Sequence, residues 1–309
     1  MSAPARITPP ATLVFVGLGQ MGQPMVKCLT DAGFRVLGVD PAPAARDAVG
    51  GEVFETLESA CNTAEVAAII TMLPNGRVVQ QVLLEGDAPR GCIPKTALVI
   101  DMSSSAPKDT IALNECLSKA GIALIDAPVS GGVRKAITGE LSIICGGDKP
   151  AFDAAMPVLE AMGGAVFHVG PIGAGHAMKA LNNFVSAAGF AAASEAMLIG
   201  KAFDINPDVL IDVLNASTGR NNSTEVKMKQ QVVSDAFASG FSLALMAKDL
   251  GTARDLSDDL GLASPVLAQV TDLWGAASDD LGQGADHTEY FRFTRNQMTR
   301  NQMKGLKDV

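Results

Sequence analysis

Leu13-Val14-Phe15-Val16-Gly17-Leu18-Gly19-Gln20-Met21-Gly22 is the stretch on which the fold turns. Four consecutive apolar residues read as a strand buried on both faces, the kind found in parallel sheets. The strand runs straight into Gly-x-Gly-x-x-Gly, after which Met25, Cys28, Leu29 and Ala32 recur at helical spacing until Gly33 stops them. In such a strand–turn–helix the first glycine makes the tight turn. The second lets a diphosphate approach the backbone, and the third lets the helix pack on the sheet. The helix N-terminus adds N–H donors and a partial positive charge. Val36–Val39 forms the next strand and Asp40 ends it, where a carboxylate accepts from adenosine ribose hydroxyls. The pattern predicts a dinucleotide site at Gly17, Leu18, Gly19, Gln20, Met21, Gly22 and Asp40. Asp40 repels a 2′-phosphate and Pro41-Ala42-Pro43 offers no cation to hold one, which favours NAD over NADP. Arg46 is the one cation close by.

Outward from that stretch, apolar runs at Val66–Leu73, Leu98–Ile100, Ala123–Ile125 and Leu141–Cys145 alternate with helical patterns. One such helix is opened by Ser105 with Pro107 and stopped by Gly121. The alternation predicts an α/β Rossmann-type doubly wound sheet over residues 1–170. Pro171, Gly173 and Gly175 then punctuate the chain, and Gly175 to Phe203 runs without proline and is rich in alanine. This predicts one long helix with Met178, Leu181, Val185 and Ala188 on a face that needs partners. Asn206-Pro207 and Ser264-Pro265 open further helices. Residues 171–292 are therefore expected to be all-α, completing the substrate site and an oligomer interface. A polar, mobile tail is expected over 293–309, where Thr294–Met298 is repeated as Thr299–Met303.

Composition narrows the function. The chain has 309 residues, 48% hydrophobic and 18% charged, with net charge −9, so two domains and an ample core are expected. No window reaches the roughly 18 uncharged apolar residues of a bilayer helix. Five widely spaced cysteines without a CxxC, and three histidines without metal spacing, predict no disulfide framework, no metal and a reducing cytoplasm. The acidic balance argues against nucleic acid, yet leaves room for a small anion held by local donors.

Several side chains carry chemistry. In Asp126-Ala127-Pro128-Val129-Ser130-Gly131-Gly132 the glycines let backbone N–H groups face a carboxylate, although an ordinary turn has the same spacing. Lys179 and Asn183 share a helix face at i, i+4. A lysine in an apolar helix either titrates near neutrality as an acid–base group or points into water. Lys248 poses the same choice. The polar segment Asn215–Glu225 reads as a loop, with Arg220, Asn221 and Asn222 placed to meet a substrate or simply solvated.

Taken together, these motifs resemble the β-hydroxyacid dehydrogenases, the family of 3-hydroxyisobutyrate dehydrogenase and tartronate semialdehyde reductase. The resemblance spans about residues 12–291. It rests on the glycine-rich turn, on residues 126–132, on Gly-Ala-Gly-His-Ala-Met-Lys-Ala-Leu-Asn-Asn at 173–183, and on Met-Ala-Lys-Asp-Leu-Gly at 246–251. It implies that Met72, Leu73, Pro74 and Val78 pass over the cofactor, and that Ser104 touches it where threonine is usual. It implies Lys179 as the catalytic lysine, with Asn183 beside it. Ser130, Gly131 and Gly132 would hold the substrate carboxylate, and Lys248 would close over cofactor and substrate. Asn182 stands where the longer 6-phosphogluconate dehydrogenases carry histidine. The implied activity is NAD-dependent oxidation of a small anionic 3-hydroxy acid to its semialdehyde, or the reverse. First in line is 3-hydroxyisobutyrate to methylmalonate semialdehyde, ahead of tartronate or succinic semialdehyde reduction and L-serine oxidation. A homodimer or homotetramer is typical of the family. A non-catalytic NAD-binding scaffold is the reading from another class, and the presence of Lys179 and Asn183 counts against it.

Overall fold

The computed structural model describes residues 5–305, with side chains through Thr299. Two compact units emerge, residues 1–179 and 180–309, and the division falls inside a long helix.

The N-terminal unit contains strands β1 (Thr12–Val16), β2 (Arg35–Val39), β3 (Val53–Phe54), β4 (Ala68–Thr71), β5 (Leu84–Glu85), β6 (Ala88–Pro89), β7 (Leu98–Asp101), β8 (Ala123–Asp126), β9 (Val129–Ser130), β10 (Leu141–Gly146) and β11 (Gly163–Gly170). Interleaved are helices α1 (Gly22–Asp31), α2 (Pro43–Val49), α3 (Leu57–Cys61), α4 (Gly76–Leu83), α5 (Pro107–Lys119), α6 (Gly132–Thr138) and α7 (Lys149–Glu160). The main sheet has the order β11-β10-β8-β7-β4-β1-β2-β3. Burial on both faces is visible along β1: Leu13 and Phe15 join the core under α1, α6 and α7, while Val14 and Val16 join the core under α3, α4 and α5. That is why consecutive apolar residues, and not alternating ones, mark these strands.

The sheet is not wholly parallel. β10 meets both β8 and β9 antiparallel, then pairs β11 in parallel. The edge strand β11, mostly exposed, and the β5–β6 hairpin carry no continuous apolar signal in the sequence. Order reverses between β1 and β4, so the crevice at their carboxyl ends is the topological switch point, where open α/β sheets place ligands.

Helix α8 (Ala174–Ala202) leads into the C-terminal unit, which adds α9 (Pro207–Ala216), α10 (Leu243–Asp259), α11 (Pro265–Leu281) and α12 (Tyr290–Gly305). Its core gathers Phe190, Met197, Met228, Leu250, Trp274 and Tyr290. Asn206 caps α9 as its sequence suggests, accepting from the amides of Asp208 and Val209. Two expectations need correction. Residues Ser223–Val233 form a π-helix, not an extension of a loop. The tail expected from residue 293 instead continues α12 to Gly305, because Phe291, Phe293 and Thr294 bury one side of its first turns; residues 306–309 lie outside the described range.

Candidate active site

At the switch point the three glycines are not equivalent. A Cβ on Gly17, whose φ is +102°, would lie 2.3 Å from the Met72 carbonyl oxygen, so the loops after β1 and β4 touch through backbone. A Cβ on Gly22 would meet the Gly17 oxygen at 1.9 Å, which only glycine avoids where α1 closes on β1. Gly19 faces open space, with nothing within 4 Å of a Cβ. Met21, the residue before α1, offers no side-chain cap to the helix amides. A tight turn, an open middle glycine and an uncapped helix start suit an anion such as a diphosphate.

Asp40 sits at the end of β2 and binds the same turn. Its Oδ2 accepts from the Leu18 amide at 2.9 Å and its Oδ1 from the Ala42 amide at 2.9 Å. Arg46 donates to the carbonyls of Asp40 at 2.7 Å and Pro41 at 3.0 Å. The Leu18 side chain is fully buried, so only its backbone reaches the turn, while Gln20 is exposed.

The loops after β4 and β7 are joined. The Leu73 amide donates to Ser103 Oγ at 2.9 Å and the Ser104 amide to the Leu73 carbonyl at 3.4 Å. Pro74 is exposed on this loop and Met72, Val78 and Ser104 are half-buried. Beneath it, the buried Asp101 accepts from Thr71 Oγ1 at 2.8 Å, the Ser103 amide at 3.0 Å and Ser105 Oγ at 2.9 Å. Ser105 therefore serves Asp101, and α5 starts at Pro107 behind Ala106 without a side-chain cap.

A second buried aspartate holds the start of α8. Asp126 accepts from the Gly173 amide at 2.7 Å and the His176 amide at 2.8 Å. The His176 ring donates from Nε2 to the Ser103 carbonyl at 3.1 Å and pairs through Nδ1 with the Thr110 hydroxyl at 2.8 Å. One turn later, half-buried Lys179 donates from Nζ to the Val129 carbonyl at 2.8 Å. The lysine is thus held at the residue preceding Ser130. Gly131 and Gly132 follow at φ +128° and +65°, and nothing stands within 4 Å of a Cβ on Gly132.

In the C-terminal unit, Asn183 donates from Nδ2 to Asp249 Oδ2 at 2.6 Å, and Lys248 Nζ lies 3.7 Å from Asp249 Oδ1. Asp249 is buried, while the Lys248 side chain is one-third exposed. Of the segment 215–225, Asn221 turns inward to cap the π-helix, accepting from the amides of Ser223 and Thr224. Arg220 is 64% exposed and paired with Glu225, and Asn222 is exposed.

Two family models cover nearly the whole chain. The NAD-binding domain of 6-phosphogluconate dehydrogenase matches residues 12–170, and the NAD-binding domain of NADP-dependent 3-hydroxyisobutyrate dehydrogenase matches residues 173–294. The chain is 35% identical to 3-hydroxyisobutyrate dehydrogenase of Pseudomonas aeruginosa over 294 residues, 92% of this chain and 98% of that one. The chain belongs to the β-hydroxyacid dehydrogenase family. A second member, 2-(hydroxymethyl)glutarate dehydrogenase of Eubacterium barkeri, is 32% identical over 87% of this chain and 90% of its own. The solved structure of Mycobacterium tuberculosis 3-hydroxyisobutyrate dehydrogenase with L-serine superposes with TM-score 0.84 at 34% identity, covering 92% of this chain and 99% of that one. As a β-hydroxyacid dehydrogenase the chain is an oxidoreductase that works with a nicotinamide dinucleotide. Among the described residues no helix is long and apolar enough to cross a membrane, and no group of His, Cys, Asp or Glu side chains has the layout of a metal centre.

Residue-type reasoning passed over Asp101, Asp126, His176 and Asp249 as functional supports. The usable signal was an aspartate at the last position of an otherwise apolar strand, which both Asp101 and Asp126 occupy.

Proposed function

We propose that the protein oxidises a small 3-hydroxy acid to its semialdehyde with NAD, 3-hydroxyisobutyrate being the first candidate. The observation that carries this reading is the Lys179 Nζ contact with the Val129 carbonyl, which ties an amine to the segment Ser130-Gly131-Gly132. A neutral lysine donating one N–H to that carbonyl keeps its lone pair for a substrate hydroxyl proton. Ser130 with the amides of Gly131 and Gly132 receives the carboxylate, and Asn183, one helical turn past Lys179, orients the reacting oxygen. Lys248 contributes a further cation toward substrate and cofactor. When bound, the nicotinamide takes up the hydride.

The open face of Gly19 and the uncapped α1 suit the cofactor diphosphate, and Ser104 with the loop Met72-Leu73-Pro74 and Val78 suits its nicotinamide end. Asp40, held by two amides, favours ribose hydroxyls over a 2′-phosphate, and the Arg46 guanidinium is engaged by two carbonyls. Both support NAD over NADP. Self-association fits as well: Leu181, Val185 and Ile199 run along one face of α8 and stay 41%, 68% and 60% exposed in the single chain, and Phe203 in the turn just after it stays 81% exposed.

Initial rates decide the reading. The panel comprises 3-hydroxyisobutyrate, L-serine and 2-(hydroxymethyl)glutarate, with tartronate and succinic semialdehydes in reverse, each with NAD and NADP. Lys179→Ala is expected to lower kcat about 10²–10⁴-fold while retaining NAD affinity. Near wild-type turnover in that variant overturns the mechanism, and NAD binding with no turnover anywhere on the panel makes the protein a scaffold.

A further inference from the structure

The π-helix Ser223–Val233 presents a lysine that the proposed reaction does not use. π-Turns are rare and tend to mark functional sites. This one is seated on α8: Ser223 Oγ donates to the Ser186 carbonyl at 3.4 Å, and a Cβ on Gly189 would touch Asn221 Oδ1 at 3.3 Å. From the next part of the π-helix, Lys227 Nζ reaches Ser186 Oγ at 3.1 Å. Ser186 stands three residues after Asn183, hence beside it on the same helix face.

The electrostatics of Lys227 are unbalanced. It is half-buried, yet among the described residues no carboxylate lies within ion-pair distance, and a neutral hydroxyl is its hydrogen-bond partner. Burial pulls its ammonium below the ordinary value, against an opposing pull from Asp286. Asp286 is already occupied, accepting from Ser239 Oγ, the Gly240 and Thr288 amides and Thr288 Oγ1. His287, the other titratable neighbour, holds its ring against Ser239 and the Phe241 carbonyl. A partly desolvated cation whose neighbouring carboxylate stays beyond ion-pair distance is costly unless an anion completes it. Arg220, the cation the sequence suggests for this role, is spent on Glu225 at the surface.

We propose that Lys227 and Ser186 form a second anion subsite beside Asn183, selecting 3-hydroxy acids with a second negative group on the arm away from the reacting carbon. The inference rests on the reading of Asn183 as a substrate residue.

Two panel members isolate the arm. 3-Hydroxyisobutyrate and 2-(hydroxymethyl)glutarate share the carboxylate and the primary alcohol, and differ in bearing a methyl or a carboxyethyl group. In the full-length enzyme, Lys227→Met is expected to lower kcat/KM for the dicarboxylate about 10–100-fold further than for the monocarboxylate, through KM, as loss of a charged hydrogen-bond partner would. Lys227→Arg should recover most of that preference. Equal loss on both substrates, or none on either, overturns the subsite in favour of a structural lysine. Should Lys227→Met not fold, the wild-type enzyme answers: glutarate should inhibit about tenfold more tightly than butyrate, and equal inhibition overturns the proposal. Failure of the parent reading is separate, since the panel then shows no turnover at all.

Discussion

In the N-terminal unit the buried Asp101, Ser103, Thr110, Asp126 and His176 are each hydrogen-bonded to one another or to backbone. In the C-terminal unit the buried Asn215 Oδ1, Trp274 Nε1 and His287 Nε2 have no protein partner among the described residues. The difference reflects two tasks. Loops that cradle a dinucleotide must hold backbone atoms in place, and a satisfied polar network does this without relying on helix packing. The helical unit's core is assembled by apolar contact among Phe190, Trp274, Tyr290 and their neighbours, which leaves these three polar atoms tolerated instead of used.

The largest expected effect breaks the first half of that contrast. Asp126→Ala leaves the Gly173 and His176 amides without their acceptor at the start of α8. A stranded buried donor costs about 1–3 kcal/mol, so a loss of roughly 2–6 kcal/mol is expected from the urea midpoint. Asp126→Asn, which keeps one acceptor, should fall between. A change under about 1 kcal/mol in the alanine variant would show that the network does not hold the unit.

The same contrast explains what the sequence could disclose. The glycine-rich turn was legible because its parts are local: Gly17 and Gly22 meet backbone at positions close in the chain, Gly19 between them stays open, and Asp40 closes the next strand. The pairing of Asn183 with Asp249 joins helices 66 positions apart, and no local spacing encodes it. Ser105 looked like a cap because serine before proline commonly is one, yet Asp101 competes for its hydroxyl more strongly than the helix does. The π-helix was invisible for a similar reason. Asn221 reads as a loop residue, and its side chain turning inward to cap Ser223 and Thr224 depends on packing against α8.

A middle-sized effect tests the tolerated groups. His287 donates from Nδ1 to the Phe241 carbonyl, so its bare Nε2 faces the aromatic cluster of Phe190 and Trp274. Burial first, with the Lys227 charge behind it, lowers its pKa from 6.5 to about 4. The unfolded chain therefore binds a proton below pH 6.5 that the folded chain refuses until about pH 4. Stability is full above 6.5 and declines through that window by roughly 3 kcal/mol. Asp286 titrates lower still: burial raises its pKa, but hydrogen bonds from Thr288 and Ser239 outweigh it, so its contribution is lost below the ordinary 3.8. Urea unfolding at pH 7, 5.5 and 4.5 should show a shallower decline in His287→Phe than in wild type. Parallel declines would mean that His287 charges in place.

The smallest effect is the most discriminating, because two opposing changes are expected nearly to cancel. Trp274 is fully buried and stacks on Tyr290 at 4.4 Å between ring centroids, with planes 14° apart. Trp274→Phe removes apolar volume from the core, which by itself destabilises. It also removes an N–H that no described protein group accepts, which relieves a desolvation penalty of about 1–3 kcal/mol. The net change in unfolding free energy should lie within roughly 1 kcal/mol of zero, whereas an indole whose N–H is satisfied would lose both packing and a hydrogen bond. A loss above about 3 kcal/mol would show that the Trp274 N–H is bonded after all, and the polar economy of the helical unit would then match that of the cofactor unit instead of contrasting with it.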